Sequence, residues 1–260
     1  MVNINFSLLG FEYWLLVFIR IASFMFLAPI FGQSAVPSRT KIGFSFFVSV
    51  IVYGVIEEPN LQYVGMLSYS QAILKEVVTG LMIGFVANIC GMILSFAGSI
   101  IDMDIGISMV TEFNHEMGSE VSITGNLYYY FIMILLILSD MHVYVLRAVC
   151  DSFSLIPIGS TIFQWDHLLV TMMQYVGDLF TIAFRIFLPF FACMMVLNCV
   201  LGVMAKVAPQ MNMFAIGIQF KILLGLIVLF LTIFLLPGIA EMIFDEIKTL
   251  VVLVIDGLHE

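Results

Sequence analysis

The feature that most constrains this chain is an uncharged apolar run at residues 77–101. A helix needs about 20 predominantly apolar residues to cross the hydrocarbon core of a bilayer, and this run exceeds that length. Five further apolar runs of unequal length lie at 8–31, 42–56, 127–138, 179–205 and 213–236. Apolar residues make up 62% of the chain and charged residues 10%, compared with about 25% charged in soluble domains. The sequence therefore predicts an all-α polytopic membrane protein with about six hydrophobic helices.

The runs differ in how well they fit a complete membrane crossing. Run 42–56 is short and marginal, polar residues at 139–142 interrupt the apolar pattern after run 127–138, and Pro237 is expected to end the last run. An amphipathic segment follows at 239–258. The polar stretches between runs lie at 57–76, 102–126 and 151–178. None is rich enough in Pro, Gly or Ser to act as a linker, so we expect a single domain, residues 1–260.

The charge balance excludes one class of function. Eighteen acidic residues against nine basic residues give a formal charge of −9, whereas a nucleic-acid-binding protein needs a basic surface. The basic residues also fail to define a consistent orientation in the membrane. Arg39 and Lys41 mark the first loop as cytoplasmic, but stretch 102–126, two crossings later, contains no Lys or Arg. Such weak topological signals are expected of helical hairpins that pack inside an assembly.

One face of run 77–101 carries only small residues, and we call it the small-residue stripe. Its members follow at steps of four, three, four, four and three residues: Gly80, Gly84, Ala87, Gly91, Ser95 and Gly98. These steps keep all of them on one side of a helix. Helices in membranes associate through close approach of their backbones at such residues. The stripe therefore predicts a helix packed along it and leaves that helix unidentified.

The last run places a lysine among glycines. Gly217, Lys221 and Gly225 are spaced by four residues and share a helix face. A central lysine costs about 2.5–3.5 kcal/mol on insertion, which the many Ile, Leu, Val and Phe residues of the run outweigh. An intramembrane charge generally pairs inside a bundle or lines a wet cavity. Lys221 thus has two interpretations. In the first it fixes the helix register through an ion pair or a contact with a carbonyl group, and in the second it lies in a conduction path. Arg185 and Lys206 allow the same two, and Lys206 at a segment end could instead extend its amine to the membrane interface.

The segment between the last two runs reads KVAPQMN at residues 206–212. Pro209 cannot donate a helical hydrogen bond and disfavours helix at the residue before it. Gln210 and Asn212 can satisfy backbone groups that the break exposes. The segment therefore predicts a tight turn between two membrane helices.

The same segment carries a family resemblance. Residues 201–217, which read LGVMAKVAPQMNMFAIG and continue to Lys221 and Gly225, resemble the signature of the FliR family. Further matches lie in order along the chain, at Arg20, 28–32, 36–41, 79–84, 97–98, Gly106, 151–153 and 157–159. This sequence departs from the family pattern with lysine at 206, where arginine is frequent, and with Gln219, where proline is frequent.

The resemblance implies a subunit of the export gate of bacterial flagellar type III secretion. Such a subunit lies in the bacterial inner membrane at the flagellar basal body. It joins several FliP-like and FliQ-like subunits in a spiral around a central channel, with an FlhB-like protein at the cytoplasmic entrance and an FlhA-like protein below. The implied cargo is unfolded flagellar polypeptide, and no cofactor is implied. In such an assembly we expect the small-residue stripe to pack against another subunit.

The resemblance also implies a channel plug. The corresponding family loop, at about residues 106–120, projects into the lumen, and its large apolar residues here are Ile107, Met109, Val110, Phe113 and Met117. Apolar constrictions can gate a channel by losing their water, and methionine repacks around varied surfaces. The alternative is an ordinary loop whose apolar side chains pack on their own subunit.

Enzyme and metal signals are weak. Glu112 and His115 have the Glu-x-x-His spacing of di-iron bundles, but such a site needs a second copy of the motif and two further glutamates. Asp102 and Asp104 begin like a calcium loop without the remaining ligands. The four cysteines form no C-x-x-C pair and fit small buried residues. We expect no enzymatic activity, no cofactor and no metal.

Two alternatives to a flagellar gate subunit stay open. An injectisome export-gate subunit would show the same apolar helices and small-residue faces but would serve the export of a different cargo. A stand-alone secondary transporter, which is a different class of protein, should show inverted repeats with broken helices at matching positions, and no such repeat is evident in the sequence.

Overall fold

The structure is a computed structural model that describes residues 8–33, 35–56, 65–108, 122–208 and 213–259. Every regular element within these ranges is a helix. In chain order they are α1 (Leu8–Leu27), α2 (Ser38–Tyr53), α3 (Met66–Ala87), α4 (Ile89–Ile105), α5 (Ile123–Leu138), α6 (Met141–Leu155), α7 (Trp165–Val207), α8 (Met213–Thr232), a 3₁₀ turn (Ile233–Leu235) and α9 (Leu236–Asp256). The prediction of an all-α fold is confirmed.

Several of these helices are long and apolar enough to cross a membrane. Within the described residues there are four such segments, at Leu9–Leu27, Met66–Ala87, Trp165–Val207 and Ile216–Asp256. The bent pair Ile123–Leu138 and Met141–Leu155 adds a fifth if it forms one span. The protein is thus a polytopic membrane protein, as the sequence predicted. Six complete spans are not reached, because α2 has only 16 residues and run 77–101 is divided.

The uncharged run 77–101 forms two helices. α3 ends at Ala87 and α4 begins at Ile89, with a turn at Asn88 between them. Asparagine favours turns because its side chain competes with the helical hydrogen bonds of the backbone. The small-residue stripe is therefore shared between α3 and α4.

The helix boundaries depart most from the apolar runs at the starts of α3 and α7 and at Pro237. α3 begins at Met66 and α7 at Trp165, both inside stretches predicted to be polar connections. α7 reaches 43 residues, or about 65 Å, which is twice the thickness of a bilayer core. Pro237 does not end the helical structure, because it lies in the first turn of α9, where the missing N–H of proline costs nothing. α9 also covers most of the amphipathic segment predicted at 239–258.

The chain divides into two compact units. Unit 1 contains residues 1–89, 137–176 and 245–260, and unit 2 contains residues 90–136 and 177–244. Each unit is assembled from segments that are distant in sequence, so no linker marks a boundary. The expectation of a single domain stays a prediction.

In unit 1, helix α1 packs against α3 and α2. Its side toward the core is fully buried at Leu16, Val17, Ile21, Phe24 and Met25. A Cβ atom placed on Gly80 would collide with the carbonyl oxygen of Arg20, and one on Gly84 would lie 2.7 Å from the carbonyl oxygen of Phe24. The helix against this half of the stripe is therefore α1 of the same chain. The expectation of another subunit at these two positions is wrong.

In unit 2, the second half of the stripe approaches α5. A Cβ atom on Gly98 would collide with the backbone of Gly125. Gly98 is thus also packed within the chain, whereas Ser95 is exposed and Gly91 is half-buried. Farther along α5, the hydroxyls of Tyr128 and Thr232 lie 2.5 Å apart and join α5 to α8.

We expect Gly84→Leu to disrupt the packing of α1 on α3. Overpacking a close contact costs about 1–3 kcal/mol, and here the displaced group is backbone, which cannot move aside as a side chain can. Thermal unfolding of the detergent-solubilised protein should show a lower midpoint. The control is Gly177→Leu in α7, where a Cβ atom meets nothing within 4 Å. Equal midpoints for the two variants would contradict the packing described above.

Candidate functional site

A pair of opposite charges is enclosed in unit 1. Arg20 on α1 and Glu76 on α3 are both completely buried, and Nε of Arg20 donates to Oε2 of Glu76 at 2.5 Å. Taking two charges out of water is costly, so a buried pair persists only where hydrogen bonds satisfy its remaining atoms. The surroundings of this pair supply them.

The additional contacts come from α6 and the connection after it. Nη1 of Arg20 donates to the carbonyl oxygen of Ile156 at 3.1 Å and lies 3.4 Å from both oxygens of Ser152. The ring of Phe153 lies 4.2 Å from the guanidinium carbon, within the range of a cation–π contact. The pair thus ties α1 and α3 to the C-terminal end of α6.

Glu76 extends this network through its other oxygen. Oε1 accepts a hydrogen bond from the N–H of Gly159 at 2.9 Å. Gly159 has φ +79°, a left-handed conformation that glycine adopts without steric cost. One turn after Glu76, the hydroxyl of Thr79 lies 3.3 Å from that of Thr161. The connection from α6 to α7 is therefore held against α3.

The sequence identifies several residues of this network, but it does not show that they contact one another. Arg20, 151–153 and 157–159 are separate family matches, and the structure brings them together around one ion pair, with Ser152 and Phe153 at Arg20 and Gly159 at Glu76. Glu76 was missed because it was assigned to a polar stretch. The available signal was helical spacing, since Glu76 precedes Gly80 by one turn and shares the face of the stripe.

A second buried carboxylate lies at the other end of the stripe. Asp102 follows Gly98 by one turn and is only 4% exposed. Its carboxylate accepts hydrogen bonds from the hydroxyl of Ser122 at 2.8 Å, the N–H of Ile123 at 2.7 Å, and the N–H and hydroxyl of Thr124. Sequence reasoning considered Asp102 only as part of an incomplete calcium loop. The same helical spacing was again the signal.

Lys221 has a charged neighbour on α4. It is half-buried on α8 and interacts electrostatically with the carboxyl group of Asp104, in the last turn of α4. Burial raises the pKa of Asp104, and the positive charge of Lys221 acts against that rise. The adjacent Gly225 lies against the side chain of Ile105, with a contact of 2.8 Å to a Cβ atom placed on the glycine. Among the described residues no carboxylate forms an ion pair with Lys221, so both interpretations of Lys221 stay predictions.

Arg185 lies beside a small apolar cavity in unit 2. Its guanidinium is exposed, and Nη1 lies 3.4 Å from the sulfur of Met242. The cavity has a volume of about 170 Å³ and is lined by Tyr128, Ile182, Arg185, Ile186, Pro189, Thr232, Leu235, Ile239 and Met242. Pro189 lies inside α7 and leaves the carbonyl group of Arg185 without its usual helical donor. No acidic side chain in the described residues forms an ion pair with Arg185.

The C-terminal part of α7 is exposed around its whole circumference. Every residue from 198 to 207 except Leu201 is exposed, including Lys206 in the last turn. Leu201 contacts Gly217 on α8, where its Cδ1 lies 3.5 Å from a Cβ atom placed on the glycine. α7 and α8 therefore form a C-terminal hairpin, and most of the α7 side faces away from the rest of the described chain.

Several predicted site residues lie outside the described residues. They are Met109, Val110, Phe113 and Met117 of the plug and Pro209, Gln210 and Asn212 of the turn. Ile107 is described and half-buried, and it follows Gly106 at φ +89°.

All four cysteines are free thiols, with Cys90 buried and Cys199 exposed. Among the described residues, no three His, Cys, Asp or Glu side chains gather where a metal ion could bind.

Long apolar helices, close helix contacts and large exposed apolar surfaces define the class, an integral membrane protein. The family model described as "Bacterial export proteins, family 1" matches residues 11–247. The chain belongs to this family.

Individual relatives agree with that assignment. The chain is 29% identical over 221 residues to the flagellar biosynthetic protein FliR of Bacillus subtilis (strain 168), which covers 84% of this chain and 85% of the relative. It is 26% identical over 219 residues to FliR of Aquifex aeolicus (strain VF5), with 84% of each chain covered. For FliR of Escherichia coli (strain K12) the identity is 22% over 253 residues, or 97% of this chain and 95% of the relative.

We expect Arg20→Met to destabilise the protein by about 3–5 kcal/mol, because it leaves the charge of Glu76 buried without a partner. The double variant Arg20→Met with Glu76→Met should lose less than the sum of the two single variants. Chemical denaturation of the solubilised protein, followed by circular dichroism, measures each change in the free energy of unfolding.

The matched control for this prediction is Lys248→Met. Lys248 and Asp245 form an exposed pair at 2.9 Å, with side chains 45% and 76% exposed, and such pairs contribute at most about 1 kcal/mol. If Arg20→Met costs no more than Lys248→Met, the buried pair does not stabilise unit 1.

Proposed function

We propose that this chain is a structural and gating subunit of the flagellar type III protein export channel. The family match over residues 11–247 carries the proposal. The relatives compared above bear the name flagellar biosynthetic protein FliR, which supports a flagellar channel over an injectisome. The corresponding location is the bacterial inner membrane, at the flagellar basal body. The role is structural, with no catalytic step assigned to any residue.

The proposed partners are FliP-like and FliQ-like subunits, in a gate that also contacts FlhB-like and FlhA-like proteins. The exposed part of α7 supports partner subunits, because its apolar faces other than that of Leu201 need lipid or protein to cover them. Lipid alone fits this part poorly, since Asn198 and Lys206 are exposed on it and α7 is about twice as long as a bilayer core is thick. Unfolded flagellar polypeptides are the proposed cargo.

The C-terminal hairpin is the proposed contact with a partner. We assign this role to the turn residues Pro209, Gln210 and Asn212 together with Lys221. The contact of Gly225 with Ile105 supports it, because it brings α8 against α4 and leaves the α7 side of the hairpin open. The exposed Arg185 and Lys206 are the cations available to acidic groups of a partner.

The seal of the channel is the proposed role of Ile107, Met109, Val110, Phe113 and Met117. Large apolar side chains exclude water and ions from a narrow passage, and a passing polypeptide can displace them without breaking polar contacts.

We expect this chain to co-purify with FliP-like and FliQ-like chains after gentle solubilisation. The C-terminal hairpin offers too much apolar surface to be stable alone. Mass spectrometry of the affinity-purified complex identifies the chains that are present. Saturable uptake of a small solute by the isolated chain in liposomes would instead identify a transporter and contradict the proposal.

We expect glycine at Met109, Val110, Phe113 and Met117 to make the assembled gate leak ions. Removing these side chains removes the apolar seal, while the helices that hold the subunits together are unchanged. Planar-bilayer conductance of purified complexes measures the leak, and complex yield controls for assembly. Unchanged conductance in intact complexes would remove the seal assignment and leave the structural role.

A further inference from the structure

The cavity in unit 2 lies where two long helical segments both depart from regular geometry. Pro189 interrupts the hydrogen bonds inside α7, and the 3₁₀ turn Ile233–Leu235 separates α8 from α9. Both irregular places line the cavity, through Pro189 on one side and Leu235 and Ile239 on the other. Its volume of about 170 Å³ is in the range of apolar cavities that stay dry and take up small apolar groups.

The hydroxyl groups in the wall of the cavity satisfy one another. The hydroxyls of Tyr128 and Thr232 lie 2.5 Å apart, and that of Thr232 donates to the carbonyl oxygen of Leu229 at 2.8 Å. Tyr128 therefore donates to Thr232, and each hydroxyl has an acceptor. Both residues are buried, so the interior presents carbon atoms to an occupant. An apolar chain fits such an interior better than water does, because water needs polar partners.

The cavity reaches the surface of unit 2 beside a positive charge. Arg185 and Leu235 line the cavity and are both exposed. A guanidinium has five N–H donors, and within the described residues Arg185 donates only to the sulfur of Met242, which is a weak acceptor. None of the described carboxylates forms an ion pair with Arg185. The mouth of the cavity thus offers a cation with most of its donors available.

The place of Arg185 along α7 is that of a headgroup contact. Residues 186–205 contain no charged side chain and lie between Arg185 and Lys206. As a helix this segment spans about 30 Å, the thickness of the hydrocarbon core of a bilayer. On α9, Glu241 is exposed next to Met242, as expected where a bilayer meets water. Arg185 is therefore at the level of lipid phosphates.

We propose that Arg185 and the cavity bind one phospholipid, with its phosphate on the guanidinium and part of an acyl chain in the cavity. The planar guanidinium donates parallel hydrogen bonds to phosphate oxygens. A carboxylate of a partner subunit would satisfy the charge but leave the cavity empty, because the stem of Asp or Glu is too short to fill it. The proposed function leaves Arg185 available to an acidic group, and this inference goes beyond it by identifying that group as a lipid phosphate.

Lipid retention by the purified protein tests the site. The protein, with the chains that co-purify with it, is delipidated in detergent and titrated with palmitoyl-oleoyl phosphatidylglycerol, and native mass spectrometry measures the lipid that is retained. Arg185→Gln should weaken the tightest binding event by about tenfold, the size expected for loss of charge-assisted hydrogen bonds. Arg185→Lys keeps the charge without the planar fork and should give a smaller loss.

The matched control is Arg147→Gln. Arg147 on α6 is also exposed and forms no ion pair among the described residues, but it is not one of the residues that line the cavity. The same chemical change there should leave the tightest binding event unchanged. Equal losses in the two variants would show a general attraction of the lipid to positive charge and would overturn the site.

Filling the cavity tests the acyl chain separately. Ile239→Phe enlarges a side chain of the wall while Arg185 keeps its charge, and it should weaken phosphatidylglycerol binding several-fold. Leu235→Trp, at the exposed mouth, is the second variant if circular dichroism shows that Ile239→Phe loses helix. Wild-type binding in both folded variants would overturn the placement of the chain. Galactosyl diacylglycerol, which has the chains without a phosphate, should bind more weakly than phosphatidylglycerol.

The remaining outcomes separate the lipid from other occupants. Full competition by glycerol 3-phosphate would identify a site for free phosphate and overturn the inference. Loss of a protein chain from the Arg185→Gln complex, with lipid retention unchanged, would identify a carboxylate of a partner and also overturn it. Unchanged retention in an intact complex overturns the inference and leaves the proposed function standing. A chain that purifies alone and still retains the lipid at Arg185 would contradict the proposed function and support the lipid site.

Discussion

The structure depends on close backbone contact along a face made of small residues. In an apolar surrounding the hydrophobic effect does not hold helices together, so helices associate by dispersion contact and by hydrogen bonds between them. α3 brings Gly80 and Gly84 against α1, and α4 brings Gly98 against α5. At these distances no larger side chain fits, which makes each contact specific for one partner helix.

The same face ends in a buried carboxylate in each unit. Glu76 precedes Gly80 by one turn and pairs with Arg20, while Asp102 follows Gly98 by one turn and caps α5. A buried carboxylate is stable only with several donors in fixed positions, and a close glycine contact supplies that fixed geometry. The small residues and the acids therefore act together, because the approach of the backbones brings the donors within reach of the carboxylates.

The helical hairpins, the break after residue 138 and the small-residue stripe could be predicted from sequence, since each follows from apolar length or from spacing along one helix. The partner of the stripe could not. A small-residue face shows only that some helix lies close, and it contains nothing that distinguishes a helix of the same chain from one of another subunit. The division of the stripe at Asn88 and the place of Pro237 in the first turn of α9 are local features that apolar length alone does not indicate.

The sequence by itself determined the class of this protein, an all-α membrane protein with charges that require partners, because apolar length and helical period are local properties. It also determined the family, through the motif at residues 201–217 and the matches before it. Only the tertiary structure decided which charges pair. Arg20 and Glu76 are 56 residues apart, and the donors of Asp102 begin 20 residues beyond it. Pairing over such distances is set by how the helices pack, because the energy of a buried charge depends on what surrounds it in space.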